Sequence, residues 1–550
     1  MKSNFVLFLI ALFSLGSVFS ATYHVGPSQP LANIADVPWD SLQAGDQVFI
    51  HWRSTPYQEK WVINAQGTQQ DRIKIIGVSG PSGQKPVIDG NGAVTPTNLD
   101  YWNEERSLIK IGGSSVPADG LPSYITIENL ELRSARPAYS FTNDNGQSGT
   151  YSGNAASIHI EKGEHIIIRD CIIHDSGNGI FIGAHGGDTK DILIANNYIY
   201  DNGIVGSFFE HNTYTEAFGI IYEYNRFGPL RSGADGNNLK DRSAGLVVRY
   251  NWIESGNRQL DLVESGSSAL YNDPSYATTY VYGNVLIEPD GAGNSQVLHY
   301  GGDNGTTSRY RKGDLYFYNN TVISTRNSNT TLARLSTQDE TMHAFNNVIY
   351  NTSSGSALAM TNDEGTMNLS HNWIKSNWVD SHSGPPSGSV NDQGNNLGGT
   401  DPLFTDFLNQ DFSLQSTSSL IDAGDAIPSI HLPDHDLLSE YVKHSGGAAK
   451  QVVNALDIGA FEYQPPLSVT DISSERIVLY PNPGTSWVHL KNIEPNTLES
   501  VAVYSVNGRL LLTSTGPSIE MSGLENGVYF VRVKTIDSES VLRFVKLKVS

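Results

Sequence analysis

Cysteine is all but missing: Cys171 is the only one in 550 residues. No intramolecular disulfide can staple the fold, and a thiolate metal site is excluded, which leaves oxygen or histidine ligands for any cation. Charge is sparse at 17% of residues, and Lys and Arg (35) are outnumbered by Asp and Glu (57), a formal balance of −22. A global field of that sign repels nucleic acid, so any polyanion would need a local basic groove. After residue 20 no apolar run is long enough to cross a bilayer. Helical periodicity is absent, as are a P-loop, a dinucleotide-binding glycine pattern, a nucleophile elbow and an HExxH helix. Glycine, at 53, is plentiful, the balance of a turn-rich β protein.

Residues 1–20 read as an export signal, with Lys2 ahead of an apolar Phe5–Leu15 run and Val18-Phe19-Ser20 before Ala21. The mature chain is therefore expected to be secreted or held at the cell surface. Short apolar runs between Gly and Asp, such as Val48-Phe49-Ile50 and Ile73–Ile76, mark an N-terminal cap over about 21–90. A repeat then sets the architecture. The pattern apolar-x-apolar-x-x-Asn-x-apolar recurs at Asn197, Asn225, Asn251, Asn284, Asn320, Asn347 and Asn372, with gaps of 28, 26, 33, 36, 27 and 25 residues. In IIIRDCII, Cys171 takes the same place 26 residues before Asn197. Units this short cannot bury a face alone and must stack. Alternation with period two predicts strands, and the recurring Asn predicts a tight left-handed bend with an amide ladder. The economical arrangement is an all-β parallel β-helix solenoid.

On these repeats, with the GDQVFI, PVIDG, DPLF and DIGAFEY segments, the chain from Ala21 to Tyr463 resembles the right-handed parallel β-helix proteins of the pectate-lyase-like superfamily. Gln464-Pro465-Pro466 opens a linker expected over 464–472. The segment 473–550 changes character: YPNPG, VAVYSVNGRLL and LENGVYFVRVKT are alternating strands joined by Asn-Gly turns, which predict a small β-sandwich. It resembles the C-terminal sorting domain of the type IX secretion system of Bacteroidetes, a resemblance that makes that secretion machinery a partner.

Six basic residues, Arg226, Arg231, Lys240, Arg242, Arg249 and Arg258, fall within 33 positions, where 35 in 550 would place about two. In an acidic protein such a reversal marks a site for an anionic ligand. Leu239 and Leu260 flank the same Asn repeat, so LKDR and LDLVE are expected on adjacent rungs about 5 Å apart. Lys240 and Arg242 would then neighbour Asp261 and Glu264, with Glu216 one rung before and His299 one rung after. Two chemistries fit this column. In β-elimination on a uronate polymer, Arg242 or Arg258 neutralises the carboxylate and Lys240 acts as base. His211 and His299 are further proton-transfer candidates, and Tyr214, Glu216, Arg231 and Tyr300 candidate substrate contacts. Asp235, Asp261 and Glu264 would supply oxygen ligands to calcium. The alternative is hydrolysis by paired carboxylates such as Asp261 and Glu264, and a non-catalytic carbohydrate-binding adhesin is a third reading. ADGNNLK is similar to the ADGxxxK segment of calcium-dependent pectate-type lyases of family nine, which implies Asp235 as a calcium ligand. That family's following DDG rung is replaced by NRQLDLVES. A Lys on one rung with an Arg on the next resembles the alginate and chondroitin lyases of family six. The expectation is a monomeric, exported lyase of an acidic polysaccharide.

Overall fold

The computed structural model describes residues 20–465, 477–493, 496–536 and 539–547. Of the expected export signal only Ser20 is among them, and residues 466–472 of the expected linker lie outside them. The chain forms two compact units, divided between Gln464 and Pro465.

The first unit is a parallel β-helix. Its chain winds through three long parallel sheets of 13, 11 and 10 strands, each coil adding one strand to each sheet. One coil shows the path: Ala244–Arg249 in the first sheet, Trp252–Glu254 in the second, Leu260–Leu262 in the third, and back to the first at Thr278–Tyr282. Period-two alternation turns one face of every strand inward, so Ile194, Ile220, Leu246, Val281 and Leu315 from successive coils fill one continuous core.

The asparagine repeat forms a ladder at the bend between the first and second sheets. Each side-chain Oδ1 accepts from the backbone N–H one coil earlier: Cys171 to Asn197, Asn197 to Asn225, and so on to Asn372, whose own N–H donates to Asn396. The left-handed residue is not the ladder asparagine but the one before it, at Asn196, Tyr224, Tyr250, Gly283, Asn319, Asn346 and His371. That division lets the asparagine turn its amide inward to bridge coils while its neighbour takes the bend. Two of these neighbours are tyrosines, for which left-handed backbone costs roughly 1–2 kcal/mol; Tyr224 and Tyr250 stack on each other at 5.5 Å. Cys171 is a buried thiol pushed up to about 12 by burial. Asn320 in mid-ladder donates to Val281 O and Asn347 Oδ1 and accepts from the Asn284 backbone N–H, each at 3.0 Å or less. Asn320→Ala orphans a buried N–H and a buried carbonyl, and is expected to cost about 2–4 kcal/mol in chemical denaturation.

Two of the three outer faces are covered, at least in part, by residues 401–463. On the second sheet Trp252, Val285, Ile323, Val348 and Trp373 pack against Phe404, Phe412, Leu420, Tyr441 and Ile458. On the first, Tyr250, Tyr282, Tyr318 and Phe345 meet Ile427 and Leu437. The third sheet carries the ionisable column.

The second unit holds a three-stranded and a four-stranded antiparallel sheet. Leu479, Val488 and Ile519 of one and Val501, Val531 and Phe544 of the other share one core.

Candidate functional site

The register of the third sheet assembles the site. Phe181, Tyr214, Lys240, Asp261, His299 and Arg334 are successive partners on six neighbouring strands, from Asn178–Ile182 to Thr330–Leu335. In LKD and LDL the flanking residues Leu239, Asp241, Leu260 and Leu262 turn inward. Alternation thus sends Lys240 and Asp261 outward side by side.

Asp261 is the hub. Its Oδ2 accepts from Lys240 Nζ at 2.5 Å and from Asn237 Nδ2 at 2.8 Å, and its Oδ1 from His299 Nδ1 at 3.0 Å. Arg258 Nη1 stands 3.7 Å away, while its guanidinium bonds to Gln296. Burial pushes the Asp261 carboxyl up, but Lys240, His299 and Arg258 outweigh it and hold the group well below the usual carboxylate range. An ionised carboxylate only accepts, so His299 carries its proton on Nδ1, and Nε2 accepts from Ser336 Oγ at 2.9 Å. This Ser–His–Asp chain has the spacing of a nucleophile triad, yet its environment opposes that use. His299 is fully enclosed and its pKa is lowered by burial. Lys240 and Arg258 share its aspartate, so an imidazolium there would be poorly stabilised.

Around the hub, cations face outward and carboxylates lie beneath. Side-chain exposure is 12% for Lys240 and 23% for Arg242 but 1% for Asp261 and for Glu264. Glu264 Oε2 accepts from the Asp303 N–H, and its Oε1, 4.0 Å from Arg242, has no hydrogen bond. Arg242 lies 5.1 Å from the Tyr214 ring centroid and Lys240 Nζ 5.9 Å. His211 meets the same ring edge-on at 5.5 Å. The half-buried Tyr214 hydroxyl makes no hydrogen bond among the described residues.

Four expected site residues stand elsewhere. Tyr300 is 0% exposed and turned into the core, because it is one residue past His299 on the same strand. Arg231 pairs with Asp175 at 2.7 Å and bonds Gly203 O, in a separate cluster with Arg136. Glu216 lies beyond the end of Thr213–Thr215, and its carboxylate accepts from Ser265, Gly266 and Ser267. Asp235 is exposed and outside any strand, its backbone N–H donating to Ser207 O. The calcium expectation fares poorly on donor chemistry: both Asp261 oxygens are occupied by donors, and among the described residues no three His, Cys, Asp or Glu groups are placed to share a metal. Sequence reasoning missed Asn237, Ser336, Phe181 and Arg334, whose type carries no signal until register is known.

The comparisons with known proteins divide along the chain. Residues 478–547 match the secretion system C-terminal sorting domain. The protein is exported by type IX secretion, to the cell surface or beyond it. No helix among the described residues is long and apolar enough to cross a membrane. No curated protein matches the chain. Among solved structures, similar ones include an alginate lyase from Paenibacillus sp. str. FPU-7, at 13% identity and TM-score 0.39, covering 64% of this chain and 95% of that one. A GH136 lacto-N-biosidase from Eubacterium ramulus is similar at 14% identity and TM-score 0.36, covering 69% and 67%. A lid-less DFA-IIIase from Arthrobacter chlorophenolicus A6 is similar at 11% and 0.36, covering 66% and 91%. At such values none of them assigns a residue role here.

His211 yields a pH prediction. Its Nδ1 accepts from the Asn237 N–H at 2.8 Å, which leaves the proton on Nε2. Burial, with Lys240 and Arg242 adding to it, pushes the imidazole down to about 3. Below the ordinary value of about 6.5 the unfolded chain binds a proton that the folded chain refuses until about pH 3. This contribution is complete above pH 6.5 and is lost as pH falls. Wild type should therefore lose about 2 kcal/mol more than His211→Gln between pH 7 and pH 4.5, read by denaturant unfolding.

Proposed function

We propose that the protein is a polysaccharide lyase that cleaves an acidic, uronate-containing chain by β-elimination. The observation that carries this reading is Tyr214 itself: its hydroxyl makes no hydrogen bond among the described residues, and the outward cations Lys240 and Arg242 stand over its ring at 5.9 and 5.1 Å while Asp261 and Glu264 are buried. A uronate C5 proton becomes removable only when the adjoining carboxylate is neutralised, and Lys240 with Arg242 supply that charge. The Tyr214 oxygen takes the C5 proton. The electron pair moves into the C4–C5 bond, the C4–O4 bond breaks, and the phenol returns the proton to the departing O4. His211, in T-shaped contact with the same ring at 5.5 Å, orients it. Lys240 is better suited to neutralisation than to the role of base, because its ammonium donates to buried Asp261 and has no free lone pair.

Hydrolysis by paired carboxylates draws less support. Asp261 is saturated with donors and Glu264 is enclosed, whereas a glycosidase needs one carboxyl free to donate and another free to attack or to activate water. The test is a panel of alginate, polygalacturonate and chondroitin sulfate, followed by absorbance of unsaturated uronate ends. Lys240→Ala should lose about 100-fold in kcat and also melt lower, because it leaves the buried Asp261 short of its nearest cation, and Lys240→Arg should keep part of both. Reducing ends without the absorbance would select the hydrolase, and binding without products the adhesin.

A further inference from the structure

Most arginines among the described residues are hydrogen-bonded through the guanidinium, although Arg311 and Arg326, like Arg106 and Arg242, also keep a buried Nε without a partner. Arg311 pairs with Asp241, Arg326 with Glu288, Arg249 with Glu223 and Arg231 with Asp175. Three arginines on the face of the third sheet are not. Arg106, Arg242 and Arg334 make no side-chain hydrogen bond among the described residues, and the Nε atoms of Arg106 and Arg242 are buried without a partner. A guanidinium taken out of water without an acceptor is costly unless a ligand supplies one. All three lie along one line of side chains. Arg106 covers the Phe181 ring at 4.6 Å, Phe181 meets Tyr214 edge-on at 5.3 Å, and Arg242 covers Tyr214. Beyond Lys240, Asp261 and His299 the next register partner is Arg334. From Tyr214 to Arg334 is four rungs, about 19 Å at the usual strand spacing.

We infer that these arginines are anion subsites on both sides of the reaction centre, so that the enzyme grips a repeating polyanion in its interior and cleaves it in endo fashion. The inference rests on the proposed lyase reading for the position of the cut, but not for the binding track itself. Tyr214 stands within the line and not at its end, with Arg106 on one side and Arg334 on the other. Each guanidinium offers bidentate donors to one carboxylate or sulfate of the chain. A substrate with an acidic group at regular intervals would satisfy all three together; a neutral glycan would leave them unpaired.

Two readouts on the full chain separate the possibilities. The first is binding of the Tyr214→Phe protein to alginate and polygalacturonate by calorimetry across a salt series, with and without Arg106→Ala or Arg334→Ala. Each arginine removed should weaken binding about tenfold and lower the salt slope by about one charge, with thermal melts unchanged. The second is cleavage by the active protein: solution viscosity should collapse while few unsaturated ends have formed, and either arginine variant should raise KM about tenfold with kcat within about twofold. If both variants bind and cleave like their parents, the track is wrong and the lyase reading stands. Unsaturated ends released from the outset as monomers or dimers, with viscosity held, would overturn the endo assignment. Arginine-dependent binding without any cleavage keeps the track and removes the lyase reading. Failure to bind either polymer overturns both.

Discussion

Tyr214→Phe should abolish nearly all elimination, lowering kcat by about 10³-fold while the affinity for the polymer changes little. The substitution removes one oxygen and keeps the ring. The edge-on contacts with Phe181 and His211 and the cations at 5.1 and 5.9 Å persist, because they depend on the aromatic face. The hydroxyl has no hydrogen bond to lose among the described residues, so stability should hold to within about 0.5 kcal/mol. A loss of rate with unchanged melt and unchanged binding isolates proton transfer. Retention of more than about a tenth of the wild-type kcat would remove Tyr214 from the chemistry.

Asp261→Asn should damage both fold and rate. The carboxylate is 1% exposed and is shared by Lys240, His299, Asn237 and Arg258. An amide keeps the shape but presents its NH₂ to one of these donors and leaves the cations without a counter-charge. Breaking a buried pair from one side costs about 3–5 kcal/mol. Activity should fall about 100-fold or more, since Lys240 loses the partner that fixes its ammonium against Tyr214. The pH signature distinguishes charge from packing. The Asp261 pKa is depressed in the folded state, so its stabilisation is complete above the ordinary carboxyl value of about 3.9 and is lost as pH falls toward the folded value. The gap between wild type and Asp261→Asn should thus close below about pH 4 in acid-unfolding curves. A gap unchanged at that pH would assign the cost to shape. The double variant Lys240→Met/Asp261→Leu should recover much of the stability and none of the activity, because an apolar pair replaces a buried ion pair without its desolvation cost.

Arg258, expected as a carboxylate clamp, lies beside Asp261 but spends its guanidinium on Gln296. It contributes charge to the hub more than reach toward a ligand. Arg242, at 23% exposure and with a buried Nε that has no hydrogen-bond partner, is the arginine left to serve the proposed clamp. The difference arises because Arg258 precedes its strand, where Gln296 of the next coil is at hand, while Arg242 follows the end of Leu239–Asp241 and turns toward Tyr214.

The basic window and the repeat were legible because both are one-dimensional. A solenoid translates spacing along the chain into stacking in space, so 21 residues between Leu239 and Leu260 fixed one rung and Lys240 fell opposite Asp261. The same rule carried the asparagines into a ladder, with the left-handed residue one position earlier than expected. Where the reading depended on position within a coil it failed. Tyr300 is one residue from His299, and a single step along a strand reverses the face. Arg231, Glu216 and Asp235 lie on loops and strand ends, whose direction no periodicity sets.

Composition and repeat by themselves determined a β-helix without disulfides, a small appended β domain and a cationic patch in an acidic chain, since each follows from local alternation or from counting; the sorting role of the appended domain came from its family resemblance. Only the tertiary structure decided which groups that patch offers a ligand. Lys240, Asp261, His299, Ser336 and Asn237 come from four coils, and their hydrogen bonds tie Lys240 to Asp261 while the Tyr214 hydroxyl makes none among the described residues. Protonation and reach depend on burial and on partners dozens of residues away, and those exist only after the coils have stacked.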